Sequence, residues 1–536
     1  MPSDYYSPGV YIEEFDAGPK PIQGVGTSVA AFVGFTEKAP DSRPHLVTNW
    51  TQFTTDFGGY IPDSYLAYAV RGFFDNGGRQ AYIVSVSNSM NGGSENGQKP
   101  RAALAASAAI PARLPAKGQS LQIEALPEGK AGEGIQVEIG PATGDGAAPD
   151  QFKMTVRQPG GPGKEETYDQ LSFGKGKGVR NVEQVVNRES QLIRVKVLVA
   201  DSDISVDLLP QVGLHTLQPA QPQAPNLPAR IEPTDLQGNA EARAGVLGLE
   251  AIEEVNILCS PDLMSPRVLG DRDALTRIKT VQLAMLNHCE AMKNRFAILD
   301  APQGMGVQDI KEWRSGGAGY DSMFGALYYP WIKVANQTPP AQRREGEGDL
   351  IEVPPCGHVA GVYARVDSER GVHKAPANEI VRGAVDLELQ VTRNEQDLLN
   401  PIGINCIRSF PNMGIRIWGA RTLSSDPAWR YINVRRLFNF VEESIDHSTQ
   451  WVVFEPNDDD LWARVARDVT AFLDRVWRTG ALFGMTPDEA FYVKCDRETN
   501  PPATRDVGQL ICEIGLAPVK PAEFVVFRFT QKALEA

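Results

Sequence analysis

Two short runs at the ends of the chain constrain its fold most, because neither has a pairing partner beside it in sequence. Near the front, Ser7-Pro8-Gly9 sets a turn before Val10-Tyr11-Ile12-Glu13-Glu14-Phe15, an alternating run of β type, and Gly18-Pro19 with Pro21 fences its other side. Near the back, Pro518-Val519-Lys520-Pro521 precedes Glu523-Phe524-Val525-Val526-Phe527-Arg528-Phe529-Thr530. A strand carries unpaired N–H and C=O groups along its edges, so each run must find a sheet edge in its own domain or in another copy. The expectation is a subunit that exchanges strands with its neighbours. Val10, Tyr11, Ile12 and Glu13 would serve at one end, and Phe524, Val525, Val526, Phe527 and Phe529 at the other.

Composition narrows the class. A chain of 536 residues has room for about two to four domains with real cores. Its net charge of −14 argues against nucleic acid as a main partner; it suits a surface of complementary charge, or plain solubility. Cysteines 259, 289, 356, 406, 495 and 512 show no C-x-x-C spacing. They read as small buried hydrophobes in a reducing compartment, not a disulfide framework or a zinc site. No basic-then-apolar leader opens the chain, and no run of about 18 apolar residues would span a membrane. The protein is expected to be made and kept in the cytoplasm, leaving the cell only inside a released particle.

Along the chain, buried-strand patterns at Ser28–Phe35 and Arg79–Val86 flank helical stretches at Phe53–Gly58 and Tyr65–Asn76, an α/β rhythm. Asn88–Lys99 is then a Gly/Asn/Ser linker, followed by half-exposed strands at Leu121–Leu126, Ile135–Ile139, Phe152–Val156 and Leu192–Val197 and the Pro/Gln-rich run Leu217–Pro228. A β-rich block between linkers reads as an inserted domain. The rhythm resumes with strand Val255–Cys259, helix Asp273–Lys293 and strand Phe296–Asp300, a parallel βαβ unit. Leu275, Ile278, Met285, Leu286, Cys289 and Met292 should share the buried face of that helix. Tyr328–Val334 should continue the sheet, and Gly357–Arg365 should be a buried helix. The last third reads as α+β: a strand pair around Pro411–Gly414, a helix from Asp426-Pro427 to about Ser448, and a second from Asn457-Asp458 to Gly480. Leu461, Trp462, Val465, Val469, Phe472, Leu473 and Val476 form that helix's apolar face. Arginines 430, 435, 436, 464, 467, 475 and 478 should project away from it, as a solvated face or as a surface for an acidic partner.

Chemical motifs are weak by comparison. Gly26-Thr27-Ser28-Val29-Ala30 is close to the nucleophile motif of subtilisin-type proteases, but no strand-flanked histidine looks like a base, and a buried strand start outweighs it. Histidines 45, 215, 288, 358, 373 and 447 are isolated; His288 adjoins Cys289, but such neighbours point to different sides of a helix. Asn457–Asp460 lacks the ligand spacing of a calcium loop and is explained by helix capping. Gly24–Gly26 and Gly316–Gly319 lack a full phosphate-loop pattern. No cofactor, nucleotide or metal is called for.

Ser7-Pro8-Gly9-Val10-Tyr11-Ile12-Glu13-Glu14 followed by Thr27–Gly34 resembles the opening of contractile tail sheath proteins, and Asn500-Pro501-Pro502 through Phe529 resembles their close. Between them, Phe454–Asp458, Glu253–Ile257 with Pro261-Asp262, and Ser315–Tyr320 fit in order; the match covers roughly 1–90 and 240–536. The resemblance implies an α/β core of subtilisin-like topology without catalysis over 23–90 and 236–370. It further implies an inserted β-rich outer domain over 91–235, a C-terminal α+β domain facing an inner tube over 371–517, and linking arms over 1–22 and 518–536. It also implies stacked hexameric rings of the chain itself around a tube, with baseplate and tail terminator or cap proteins as partners and no nucleic acid or membrane insertion. Contraction would drive the tube through a target envelope. Arg464, Arg467, Arg475 and Arg478 are the candidate tube contacts. The alternatives are a subtilisin-like serine hydrolase acting through Ser28 and, more weakly, a non-contractile filament or shell protein.

Overall fold

The computed structural model describes residues 21–38, 41–86, 107–114, 119–126, 135–143, 147–158, 165–174, 179–199, 206–217, 231–270, 273–340, 343 and 348–528. The chain divides into two compact units, one of residues 1–90 with 227–536 and one of residues 91–226. Val10–Glu13, Phe529 and the linker Asn88–Lys99 lie outside the described residues, as does most of Leu217–Pro228.

In the first unit a nine-stranded sheet runs in the order Glu379–Ile380, Gly414–Ile417, Ile404–Phe410, Gly325–Tyr329, Phe296–Asp300, Ile257–Cys259, Ala30–Gly34, Ala81–Ser85, His45–Val47. The six strands from Ile404–Phe410 to Ala81–Ser85 are parallel, with antiparallel strands at both edges. Strands such as Ala30-Ala31-Phe32-Val33-Gly34 are buried throughout, as a sheet covered on both faces requires. The helix Ala274–Met292 supplies Ile278, Val281, Met285 and Leu286 to one face. Helices Leu66–Asn76 and Cys356–Glu369 cover the other. Those two helices touch backbone to backbone: a Cβ on Gly357 would stand 2.3 Å from Ala69 Cα. The sheet draws strands from both sides of residue 370.

Three local expectations change. Tyr328–Val334 is not one strand. Gly325–Tyr329 ends at Pro330, which has no N–H to continue the ladder, and Ile332–Ala335 joins a separate antiparallel sheet with Leu350–Val353 and Asp386–Leu387. Leu275 is exposed, because it lies in the first helical turn, ahead of the residues that reach the sheet. Asp426-Pro427 opens only a 3-10 turn, Pro427–Trp429, and the helix proper is Ile432–Thr449.

That helix and Asp459–Arg478 enclose a further core of the first unit. Asp458 caps the second helix by accepting from Leu461 N–H, and all seven expected apolar residues from Leu461 to Val476 are buried. At about 1.5–3 kcal/mol for each large apolar side chain, this face is the main force holding the helix down. The antiparallel ribbon Phe491–Lys494 with Glu513–Leu516 completes the region.

The second unit holds two antiparallel sheets: Gly213–Thr216, Gln136–Pro141, Phe152–Arg157, Glu165–Leu171, and Ser107–Pro111, Gln119–Ala125, Ile193–Val197. Alternating residues such as Val137, Ile139, Leu121 and Ile123 form its core. Glu165–Leu171 escapes a sequence reading because it offers few apolar residues.

Candidate interaction surface

In a doubly wound sheet the ligand crevice lies beyond the carboxyl ends of the strands where the order reverses. Here that point falls between Ala30–Gly34 and Ile257–Cys259, and the chain's own Asp262 fills it. Its buried carboxylate accepts from Phe35 N–H at 2.5 Å, Ser64 Oγ at 2.9 Å, Leu66 N–H at 3.2 Å and Tyr65 N–H. A Cβ on Gly34 would stand 2.5 Å from Asp262 Oδ2, so the carboxylate packs directly against that strand end. Burial pushes the Asp262 carboxyl up to about 7, against the pull of those donors. Ser28 sits at the opposite, amino end of its strand. Among the described residues no histidine bonds to it: His288 pairs with Arg295, His45 with Asp41 and His215 with the Gln211 carbonyl. Nor do they hold a cluster of three or more His, Cys, Asp or Glu placed to bind a metal.

What the fold presents instead is a pair of tethers converging on one helical region. Leaving the ribbon, the C-terminal segment stays bound to its own subunit as far as Glu523. Val519 N–H donates to the Ala481 carbonyl, and Asn433 donates to the Val519 carbonyl at 3.0 Å. The Glu523 carboxylate then receives both arms of Arg421 at 2.8 Å, Asn400 at 2.7 Å and Tyr431 Oη at 3.0 Å. Burial alone would raise this carboxyl, but the bonds from Arg421 and Asn400 hold it below the usual range. One residue later the support ends. Phe524, Val525, Val526 and Phe527 are 68–77% exposed, with no ladder partner among the described residues.

At the other end, residues 22–27 lie as a strap on the helix Ile432–Thr449. Ile22 is buried among Leu437, Val441 and Phe472. Gln23 and Val25 N–H groups donate to Ser448 and Ser444 at 3.2 and 3.1 Å. Thr27 Oγ1 donates to Asp367, and the Arg436 guanidinium bridges Asp367 at 2.6 Å and the Thr27 carbonyl at 2.8 Å.

The arginines divide. Arg435 and Arg436 turn inward and are corrected from the outward face: Arg435 stacks over Trp429 and reaches Glu442, and Arg436 pairs with Asp367, each of the latter two side chains 4% exposed. Arg464, Arg467 and Arg478 do face outward: Arg464 and Arg478 pair with the exposed or half-exposed Glu455 and Asp474 at 3.5 and 2.8 Å, and Arg467 reaches the buried Asp468 at 3.4 Å. Arg475 is committed in part, donating to the Ile22 carbonyl at 2.5 Å. Sequence reasoning missed the Glu523 clamp and the strap, since each joins residues about a hundred or more positions apart and carries no local pattern.

Residues 238–423 match the profile of the phage tail sheath protein central domain, and residues 424–532 that of the phage tail sheath C-terminal domain. The chain belongs to the phage tail sheath family, whose members are structural proteins, and it is not an enzyme. It is 28% identical over 188 residues to the tail sheath protein of Vibrio phage KVP40, covering 34% of this chain and 27% of that protein. It is 24% identical over 305 residues to the tail sheath protein of Escherichia phage P2, covering 56% of this chain and 69% of that one. The chain thus matches about a quarter of the first relative's length and about two thirds of the second's. In fold it is similar to the helical sheath of the anti-feeding prophage in its contracted state, at a TM-score of 0.57 and 22% identity, over 98% of this chain and all of that one.

Proposed function

We propose that this sheath subunit polymerises as stacked hexameric rings around an inner tube, and that the rings contract to drive the tube through a target envelope. Neighbouring copies would be joined by strands donated from residues around Val10–Glu13 and from Phe524–Phe529, on the α/β core of subtilisin-like topology that the family resemblance implies. The observation that carries this reading is the step at Glu523. A half-buried ion pair fixes the chain there, and the next four residues expose an apolar, β-prone run that no strand of the described residues pairs with. Main-chain pairing to a neighbour would bury it and leave the anchored root to take up rotation between rings. Arg464, Arg467 and Arg478, with exposed Phe454, Phe483 and Met485 near the two ends of the same helix, offer a basic and apolar surface to an acidic tube. Baseplate and terminator proteins would close the two ends of the polymer. Assembly would precede release of the particle from the cytoplasm.

Val526→Pro tests the reading. Proline removes a ladder donor, yet Val526 is 75% exposed and is not part of the cores formed by the described residues. The monomer should keep its stability within about 0.5 kcal/mol and lose polymerisation, read by denaturation and by electron microscopy. Sheaths of normal length from this variant would refute strand exchange at this end.

A further inference from the structure

We propose that Cys495 and Cys512 are a redox-responsive thiol pair, which a small-molecule disulfide converts to a cystine that locks the ribbon from which the C-terminal segment departs. Strand register carries the argument. Phe491 stands opposite Leu516 and Lys494 opposite Glu513, so one further step sets Cys495 directly across from Cys512. Ala517 N–H donates to the Ala490 carbonyl, which makes 490 and 517 a hydrogen-bonded pair. Pair types alternate along an antiparallel ladder, so 495 and 512 occupy a non-hydrogen-bonded position, where Cα atoms lie about 4.5 Å apart and side chains come closest. A disulfide spans that separation. The two thiols are free.

Asn500 frames them. Its amide donates to the Ile511 carbonyl at 3.0 Å and its Oδ1 accepts Ile511 N–H at 2.7 Å, ending the ladder just beyond the pair and keeping Cys512 in register. Cys512 is half-exposed, so a reagent can reach it. Cys259 and Cys356 are also neighbours, but both are fully buried. This sets two of the six cysteines apart from the inert role that their spacing suggests.

The chemistry balances with a disulfide reagent RSSR. One cysteine thiolate attacks it and expels RS⁻, forming a mixed disulfide. The second cysteine thiolate displaces the remaining RS⁻, and the two leaving groups take up the two protons as RSH. Two electrons pass from the cysteine sulfurs to the reagent. Burial pushes the Cys512 thiol up to about 12, which keeps it protonated and the exchange slow in a thiol-rich medium. The inference stands on the ladder register, whether or not the C-terminal segment links subunits.

The test treats the full-length reduced protein with excess glutathione disulfide, traps free thiols by alkylation and maps peptides by mass spectrometry. The expected product has one internal link, Cys495 to Cys512, and is lighter by two hydrogens, with the four other cysteines still free. Amide hydrogen exchange over residues 491–494 and 513–516 should slow about tenfold relative to the reduced chain. With Cys495→Ser, Cys512 should carry a glutathione adduct instead. Glutathione retained on Cys512 of the unmodified chain without an internal link, both thiols left untouched, or a link that leaves exchange unchanged would each overturn the proposal.

Discussion

Single residues in this protein do work that their type alone does not announce. Arg436 is a buried cation joined to Asp367 and to the strap carbonyl of Thr27, and the pair sits where three segments of the chain meet. A buried ion pair adds little over an apolar pair of the same shape, but removing one partner strands the other charge out of water. Asp367→Asn should therefore cost about 3–5 kcal/mol in chemical denaturation, whereas reversing an exposed pair such as Arg478–Asp474 should cost under about 1 kcal/mol. His288 shows the same logic for protons. Burial, then the Arg295 charge, lower its pKa to about 4, and its Nε2 accepts from Arg295 at 2.9 Å. The folded state keeps it neutral while the unfolded chain takes up a proton below its ordinary value of about 6.5. Stability from this residue is thus complete above about pH 6.5 and is lost as the pH falls from there toward 4. At pH 5 the loss should reach about 2 kcal/mol, and His288→Gln should remove that part of the slope in denaturation curves taken at pH 7 and pH 5.

At the scale of elements, the helix Asp459–Arg478 separates its tasks by face, with seven large apolar residues inward and Arg464, Arg467 and Arg478 outward. Because Arg464 and Arg478 sit in exposed pairs with Glu455 and Asp474, they can exchange an internal carboxylate for one on a partner at small cost, whereas Arg467 covers the buried Asp468. Arg464→Glu with Arg478→Glu should leave the monomer folded and weaken sheath growth on an acidic tube. The loss should be greater at low salt, where screening is least, and turbidity or microscopy across a salt series reads it. Arg475 is a poor choice for this test because its substitution would also release Ile22. This helix was legible in the sequence because a 3.6-residue apolar period and the Asp458 cap are local signals. The strands Ala30–Gly34 and Phe296–Asp300 were legible as unbroken apolar runs. Glu165–Leu171 was not, since its pattern is polar, and neither was the inward turn of Arg435. What decides that turn is Trp429 and Phe324, one of them more than a hundred positions away. The plug at the crevice was likewise invisible: Pro261-Asp262 carries no local sign of it until the fold brings Ser64, Tyr65 and Leu66 to its carboxylate.

At the scale of the molecule, the cores of the two units are separate. The residues that pack around Leu121, Val137 and Met154 all lie between 108 and 217, and none of them belongs to the cores around the nine-stranded sheet or the C-terminal helices. A unit that buries its own apolar residues owes its stability mainly to itself. In the first unit the strand Ala81–Ser85 is complete on both sides before the insertion begins, paired with Ala30–Gly34 and His45–Val47. The strand Ile257–Cys259 is likewise paired after it ends. Replacing residues 91–226 with a short Gly/Ser linker should therefore leave the remaining chain folded, with a denaturation midpoint close to that of the intact protein's first unit. The Glu523 clamp, the strap and both terminal segments are all retained in this variant. If they are what joins subunits, it should also still polymerise into sheaths, thinner in cross-section where the insertion faces outward as the family resemblance implies. A variant that unfolds would show that the first unit draws stability from the insertion. One that folds but forms no sheath would place a subunit contact within residues 91–226.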